Sequence, residues 1–148
     1  MKHTPQGKLY TEIVLETFKL SGLLVAQGDT LAKEVGLTRA RWKVLGALAS
    51  ADTPMTVSQI AHLMGQARQS VQRLSDEMEK AGLLVYASNP FHKKAKLVAM
   101  TAKGKAVFLQ LEQKQIPWAN ENADEIELAD LEMALETLKK ISQSLEVS

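Results

Sequence analysis

Apolar positions along this chain recur mostly at intervals of three and four, the spacing of helices that each bury one stripe. Leu9, Ile13, Leu20, Leu23, Leu24 and Leu31 predict a first helix from about Lys8 to Val35. Gly22 and Gly28 fall inside it, each lowering helix propensity by ~1 kcal/mol, at places suited to a bend or a close helix crossing. Gly36 ends this helix and Thr38 caps the next. The second helix turns Trp42, Val44, Leu45 and Leu48 toward a core, and Thr56 with Gln59 has the capping-box spacing that starts a third.

From Thr56 the pattern tightens into two short helices. Ala61 is small enough for a close crossing, and Gly65 stands where the chain turns through positive φ. The second of the pair places Ala67, Val71, Leu74, Met78 and Ala81 on one side. Gln69, Gln72, Arg73, Asp76 and Lys80 lie opposite, with Arg68 and Ser70 near the start. This is the layout of a helix-turn-helix. Gln and Arg are side chains that make two-pronged hydrogen bonds to adenine and guanine edges in a major groove. The same division also fits an ordinary amphipathic helix with a solvated polar face, so the neighbouring segments decide.

Behind it, Gly82 stops the helix, and Leu83 to Ser88 reads as a strand. Asn89-Pro90-Phe91-His92-Lys93-Lys94 is a turn with a basic tip, and Lys96 to Met100 is the return strand. A two-stranded ribbon carrying His92, Lys93, Lys94 and Lys96 beside such a helix suits contact with phosphates or an adjacent minor groove. Thr101 then caps a helix running to about Glu125, with Val107, Phe108, Leu111 and Ile116 apolar and Pro117 expected to kink it. Leu128, Leu131, Leu135, Leu138, Ile141 and Leu145 form the stripe of a last helix.

Charge sharpens this picture. The net charge is only +1, but from Met55 to Lys105 eight Lys or Arg face three acids, a balance of +5, while the remainder carries −4. That asymmetry is the electrostatic footprint of a nucleic-acid face on an otherwise acidic chain. There is no Cys, and His3, His62 and His92 lack ligand spacing, so no metal site and no cofactor are expected. No phosphate-binding Gly loop, nucleophile elbow or metal triad is present, which argues against an enzyme. No apolar run approaches the ~20 residues of a membrane span, and Met1 to Pro5 leads into no apolar leader core, so a soluble cytoplasmic protein is expected.

Together these residues resemble the MarR family of winged-helix transcriptional regulators. The resemblance covers nearly the whole chain. It is carried by Gly36-Leu37-Thr38-Arg39-Ala40-Arg41-Trp42, by Val57-Ser58-Gln59-Ile60-Ala61 with Gln69-Ser70-Val71-Gln72-Arg73, and by Lys96-Leu97-Val98-Ala99-Met100-Thr101-Ala102-Lys103-Gly104. It implies a mainly α fold with a small β-wing in a single domain. A winged helix-turn-helix lobe (residues 37–104) would stand on an N- and C-terminal helical dimerisation frame (residues 1–36 and 105–148). It also implies a homodimer interlocked through its first, fifth and sixth helices. The family's activity would be repression on near-palindromic double-stranded DNA, relieved by a small aromatic or anionic ligand bound between frame and lobe. Two positions depart from the family's pattern. His92, Lys93 and Lys94 stand where an Asp and an Arg are usual, and Lys lacks the planar fork of Arg. Gln66 and Ala67 stand where a Thr, Ser or Asp cap is usual.

Phe18, Arg41, Trp42 and Trp118 are the candidates to line a ligand cleft, with Arg41 pairing an anion; plain packing or solvated roles fit them as well. Three readings stay open: a ligand-responsive regulator, a winged-helix regulator without a small-molecule effector, and a winged-helix module for protein interaction.

Overall fold

The structure is a computed structural model that describes residues 1–147. The chain forms two compact units, Met1–Glu112 and a second beginning at Gln113. The first holds α1 (Pro5–Lys33), α2 (Arg39–Ala51), β1 (Met55–Thr56), α3 (Val57–Met64), α4 (Arg68–Lys80), β2 (Leu84–Ala87), β3 (Leu97–Met100) and the start of α5 (Ala102–Ala123). The second holds the end of α5 and α6 (Leu128–Val147).

Local chemistry sets most boundaries. The first helix starts at Pro5 rather than near Lys8. Thr4 accepts a hydrogen bond from the Gly7 N–H at 3.0 Å, and Pro5 occupies the first turn, where its missing N–H costs nothing. Its end is set by Gly36, whose φ of 73° lets the Leu37 N–H return to the Ala32 carbonyl at 2.9 Å. Thr38 caps α2 through the Arg41 N–H, and Thr56 and Gln59 close the expected capping box on α3. α5 continues through Pro117 and ends at Ala123, short of Glu125.

The core lies in the first unit. Val44, Leu45 and Leu48 of α2 meet Ile60 and Ala61 of α3, Val71 and Met78 of α4, Leu83, Leu84, Val98 and Leu111. Burying a side chain of this size contributes about 1.5–3 kcal/mol. Gly28 marks a close crossing of α1 on α2, since a Cβ there would sit 3.3 Å from the Arg39 side chain; Gly22 faces open space.

Two expectations change. The two-stranded ribbon is one part of a three-stranded antiparallel sheet of order β1-β3-β2, with Met55 opposite Val98 and Thr56 opposite Leu97. Tyr86 pairs with Val98 in the ribbon proper. The start of α1 and the end of α5 shift as well, to Pro5 and Ala123. Leu9, Leu20, Leu23 and Leu24 of α1 are exposed in the single chain, and Ala32 is the buried residue of that helix. In the second unit, Leu128, Leu131, Leu135, Leu138 and Leu145 of α6 are exposed too.

Candidate nucleic-acid interface

α4 carries the predicted contact residues, and its orientation follows from the turn before it. Gly65, at φ 65°, ends α3 in the left-handed region, and the Gln66 N–H bonds back to the Ala61 carbonyl at 3.0 Å. α4 then begins after Ala67, which makes no side-chain cap bond. Ala67 is exposed, so it does not belong to the inner face on which its spacing placed it. Val71, Ser75 and Met78 are buried, with Leu74 packed against the core. The opposite face is therefore turned outward. Arg68, Gln69, Ser70 and Arg73 are exposed and Gln72 is half-buried.

The structure brings part of the predicted set together. Arg68, Gln69, Gln72, Arg73 and Asp76 line one groove along α4. A second groove of about 260 Å³ joins Arg68, Gln72 and Asp76 to Tyr86, Lys94 and Lys96 of the wing and to the start of α3. Lys94 and Lys96 thus share a surface with α4, while His92 and Lys93 are exposed on the turn beyond it. Among the described residues, Arg68, Arg73, Lys93, Lys94 and Lys96 have no acidic partner, so their charge is unneutralised within the chain. A row of free guanidinium and ammonium groups attracts a polyanion by Coulomb attraction and counterion release.

The wing tip is shaped by two successive turns. Asn89 Oδ1 accepts from the Phe91 N–H at 3.0 Å, and the His92 and Ala95 N–H groups bond back to the Asn89 and His92 carbonyls, each at 3.3 Å. Phe91 is 95% exposed at this tip. Sequence reasoning passed it over, although an aromatic residue inside a polar turn is itself a signal.

One polar network ties helix to wing. The Tyr86 hydroxyl donates to Asp76 Oδ1 at 2.6 Å. Gln72 Nε2 donates to Asp76 Oδ1 at 3.0 Å and to the Tyr86 oxygen at 3.2 Å. Burial, and then the Asp76 carboxylate, push the Tyr86 phenol above the ordinary tyrosine range, so it stays protonated at physiological pH. Of the three, Gln72 alone was singled out as a contact from sequence.

The candidate ligand residues lie on α1, α2 and α5. Phe18 is 70% exposed on α1. Arg41 and Trp42 are half-buried at the start of α2, with Trp42 packed against the core. Trp118 is half-buried in the second unit. At the α1–α2 crossing the side chains of Arg39 and Trp42 both lie near Gly28. Arg39 lies over Gly28, and its Nε is 3.7 Å from Asp29 Oδ1. Its spacing of three from Trp42, opposite a helical Gly, was the available clue.

With helix, wing and exposed cations in place, likeness to known proteins decides the family. A MarR family model matches residues 35–95. An uncharacterized protein of Mycobacterium tuberculosis is 32% identical over 133 residues, which cover 90% of this chain and 92% of that one.

The chain belongs to the MarR family.

The transcriptional activatory protein BadR of Rhodopseudomonas palustris is 26% identical over 141 residues, 93% of this chain and 81% of that protein. Among solved structures, AbsC of Streptomyces coelicolor, a MarR family transcriptional regulator, superposes with a TM-score of 0.81 at 19% identity, covering 100% of this chain and 99% of that one. A MarR variant from E. coli in complex with operator DNA gives 0.70 at 22% identity, over 90% and 97% of the two chains. CouR of Rhodococcus jostii, bound to p-coumaroyl-CoA, gives 0.79 at 20% identity, over 90% and 93%. At these identities the structures speak for the fold, a mostly helical winged helix with a small antiparallel sheet. Among the described residues no helix is long and apolar enough to cross a membrane, and no group of three or more His, Cys, Asp or Glu is placed to hold a metal ion.

Proposed function

We propose that this MarR family member is a transcriptional regulator that binds duplex DNA by sequence, with α4 in the major groove and the β2–β3 wing against the flanking backbone. The observation that carries the reading is the outward row of Arg68, Gln69 and Arg73, unpaired and exposed, beside Lys94 and Lys96 of the wing. Arg and Gln supply base readout, and the wing lysines supply phosphate attraction. The working form is a homodimer. The exposed leucines of α1 and of α6 are apolar faces that a second copy would cover. A two-fold dimer reads a near-palindrome with half-site centres about one turn, ~10 bp, apart. Such a regulator acts in the cytoplasm, on promoter DNA, without a cofactor and without enzymatic activity.

The sign we assign is repression, released by a small aromatic or anionic ligand held near Arg41 and Trp42, with Phe18 and Trp118 as further lining. A ligand releases DNA only through differential affinity for the two states, and a tenfold effect needs ~1.4 kcal/mol. The alternative is a regulator with no small-molecule effector, its activity set by a protein partner or by its own concentration.

In-vitro selection of bound duplexes from a random pool tests the DNA reading, and recovery of no enriched motif would reject it. Tryptophan fluorescence with a panel of aromatic acids, run in parallel with DNA titration, separates the two modes of control. A reporter fusion carrying the selected site gives the sign.

A further inference from the structure

Apart from Met1, Phe91 is the most exposed large apolar side chain among the described residues, at 95%; Phe18 and Leu128 follow at 70%. A single exposed apolar residue is ordinary on a protein surface, but the chain around this one is held. Pro90 before it has a fixed φ. The Phe91 N–H donates to Asn89 Oδ1 at 3.0 Å, and the His92 N–H returns to the Asn89 carbonyl at 3.3 Å. The backbone that carries the ring is thus ordered before any partner arrives, which lowers the entropy cost of binding. Lys93 and Lys94 follow closely, and among the described residues neither has an acidic partner. The tip therefore presents a bare ring beside free ammonium groups.

Lys94 and Lys96 share a groove with Arg68 and Gln72 of α4. With α4 in a major groove, these lysines meet the strand of phosphates at its edge. The tip extends past Lys94, across that strand, and a minor groove lies on the other side. A phenyl ring has no hydrogen-bonding group and gains nothing from phosphates. It gains by leaving water. In a minor groove about 6 Å wide, the apolar surfaces that offer this are sugar faces and the stacked bases themselves.

We propose, resting on the DNA-binding reading above, that Phe91 is an apolar wedge that enters the minor groove beside each half-site, parts one base step and bends the duplex toward the major groove. The step is pyrimidine–purine, TA or CA/TG, because these unstack at least cost. Phe91 thereby adds a sequence preference outside the bases that α4 touches, with no hydrogen bond to any base. Lys93 and Lys94 hold the phosphates beside it.

The experiment is binding-site selection from a randomised duplex pool with the full-length chain, compared among wild type, Phe91→Ala and Phe91→Leu. The selected duplex is then examined by energy transfer between its ends, which reads the bend, and by 2-aminopurine in the flanking step, which brightens on unstacking. The wild-type motif should carry a pyrimidine–purine step beside each half-site, and the duplex should bend when bound. Phe91→Ala should lose that step and the bend, keep the positions read by α4, and bind about tenfold more weakly, the order expected when a ring stacked on a base is removed. Its salt slope should equal that of wild type, because no charge is lost. Phe91→Leu should keep part of the bend, since leucine also wedges. Both variants should melt as wild type does, because the ring lies outside the core. A Phe91→Ala protein with wild-type affinity, flanking preference and bend overturns the proposal while the DNA-binding reading stands. So does a weakening equal on all sequences with no change in bend or fluorescence. Loss of the dimer in Phe91→Ala, seen by light scattering, gives the ring to a second copy and overturns it too. If wild type enriches no motif at all, both readings fall.

Discussion

Gly104, near the start of α5, passes so close to Leu83 that a Cβ on it would overlap the Leu83 carbonyl oxygen. The same carbonyl accepts the Thr101 N–H at 3.1 Å, and Thr101 Oγ1 accepts the Gly104 N–H at 3.1 Å. The wing is thereby closed onto α5 by backbone atoms that cannot yield as a side-chain tip can. On propensity alone, Gly104→Ala should stabilise the helix by ~1 kcal/mol. The overlap reverses the sign, and we expect a net loss of about 1–3 kcal/mol, the usual range for overpacking. Urea denaturation checks this; an Ala variant as stable as wild type would contradict the close approach.

The DNA contacts should divide by type. Gln69→Ala and Arg73→Ala, on the open face of α4, should each cost about 1–3 kcal/mol of binding and relax the preference at particular bases. Lys93→Ala and Lys94→Ala should weaken all sequences alike and lower the slope of log affinity against log salt by about one per charge removed. Titrations on a selected site and on a scrambled one, at several salt concentrations, distinguish the two behaviours.

Leu135 and Leu138 are 55% and 44% exposed in the single chain, so charging them leaves the core of the first unit untouched. Leu135→Asp with Leu138→Asp should therefore give a monomer whose DNA-binding lobe remains folded, with wild type dimeric at micromolar concentration. Light scattering with circular dichroism is the measurement. A dimeric double variant would move the interface off α6.

Tyr86 should ionise late. Its raised pKa means the folded chain keeps the proton that an unfolded tyrosine loses near pH 10. The network's contribution to stability is thus present in full below about pH 10 and lost as pH rises beyond it. An ultraviolet tyrosinate titration, taken as the difference between wild type and Tyr86→Phe, should show the Tyr86 step displaced above pH 10, and an ordinary midpoint would mean the hydroxyl is not bound to Asp76.

Ala67 caps α4 without a side-chain bond. Ala67→Ser or Ala67→Asp should stabilise the lobe by about 1 kcal/mol, because either supplies an acceptor to a free N–H of the first turn. Amide hydrogen exchange of Arg68 to Ser70 should slow in parallel. No slowing would mean those groups are already satisfied.

How far the sequence alone reaches depends on the range of the interaction. Helix positions were legible because spacing and caps are local: Thr38, the Thr56–Gln59 pair, and Gly36, Gly65 and Gly82 at positive φ all act within a few residues. The inner face of α4 was likewise readable from Val71, Leu74 and Met78, and so were the outward Arg68, Gln69 and Arg73, since a fixed helical period places both faces at once. Tertiary structure decided the rest. Met55 and Thr56 form a strand only because β3 returns beside them, and two residues carry no period of their own. Arg39 meets α1 over Gly28, a contact between helices that the spacing within α2 cannot announce. The leucines of α1 read as an apolar stripe and are exposed in the single chain, because periodicity records that a stripe is to be covered and not by which chain. Gln72 reads as one more outward polar residue of α4, but Tyr86 is brought to it only by the folding back of the wing, so that Gln72 Nε2 donates to the Tyr86 oxygen at 3.2 Å.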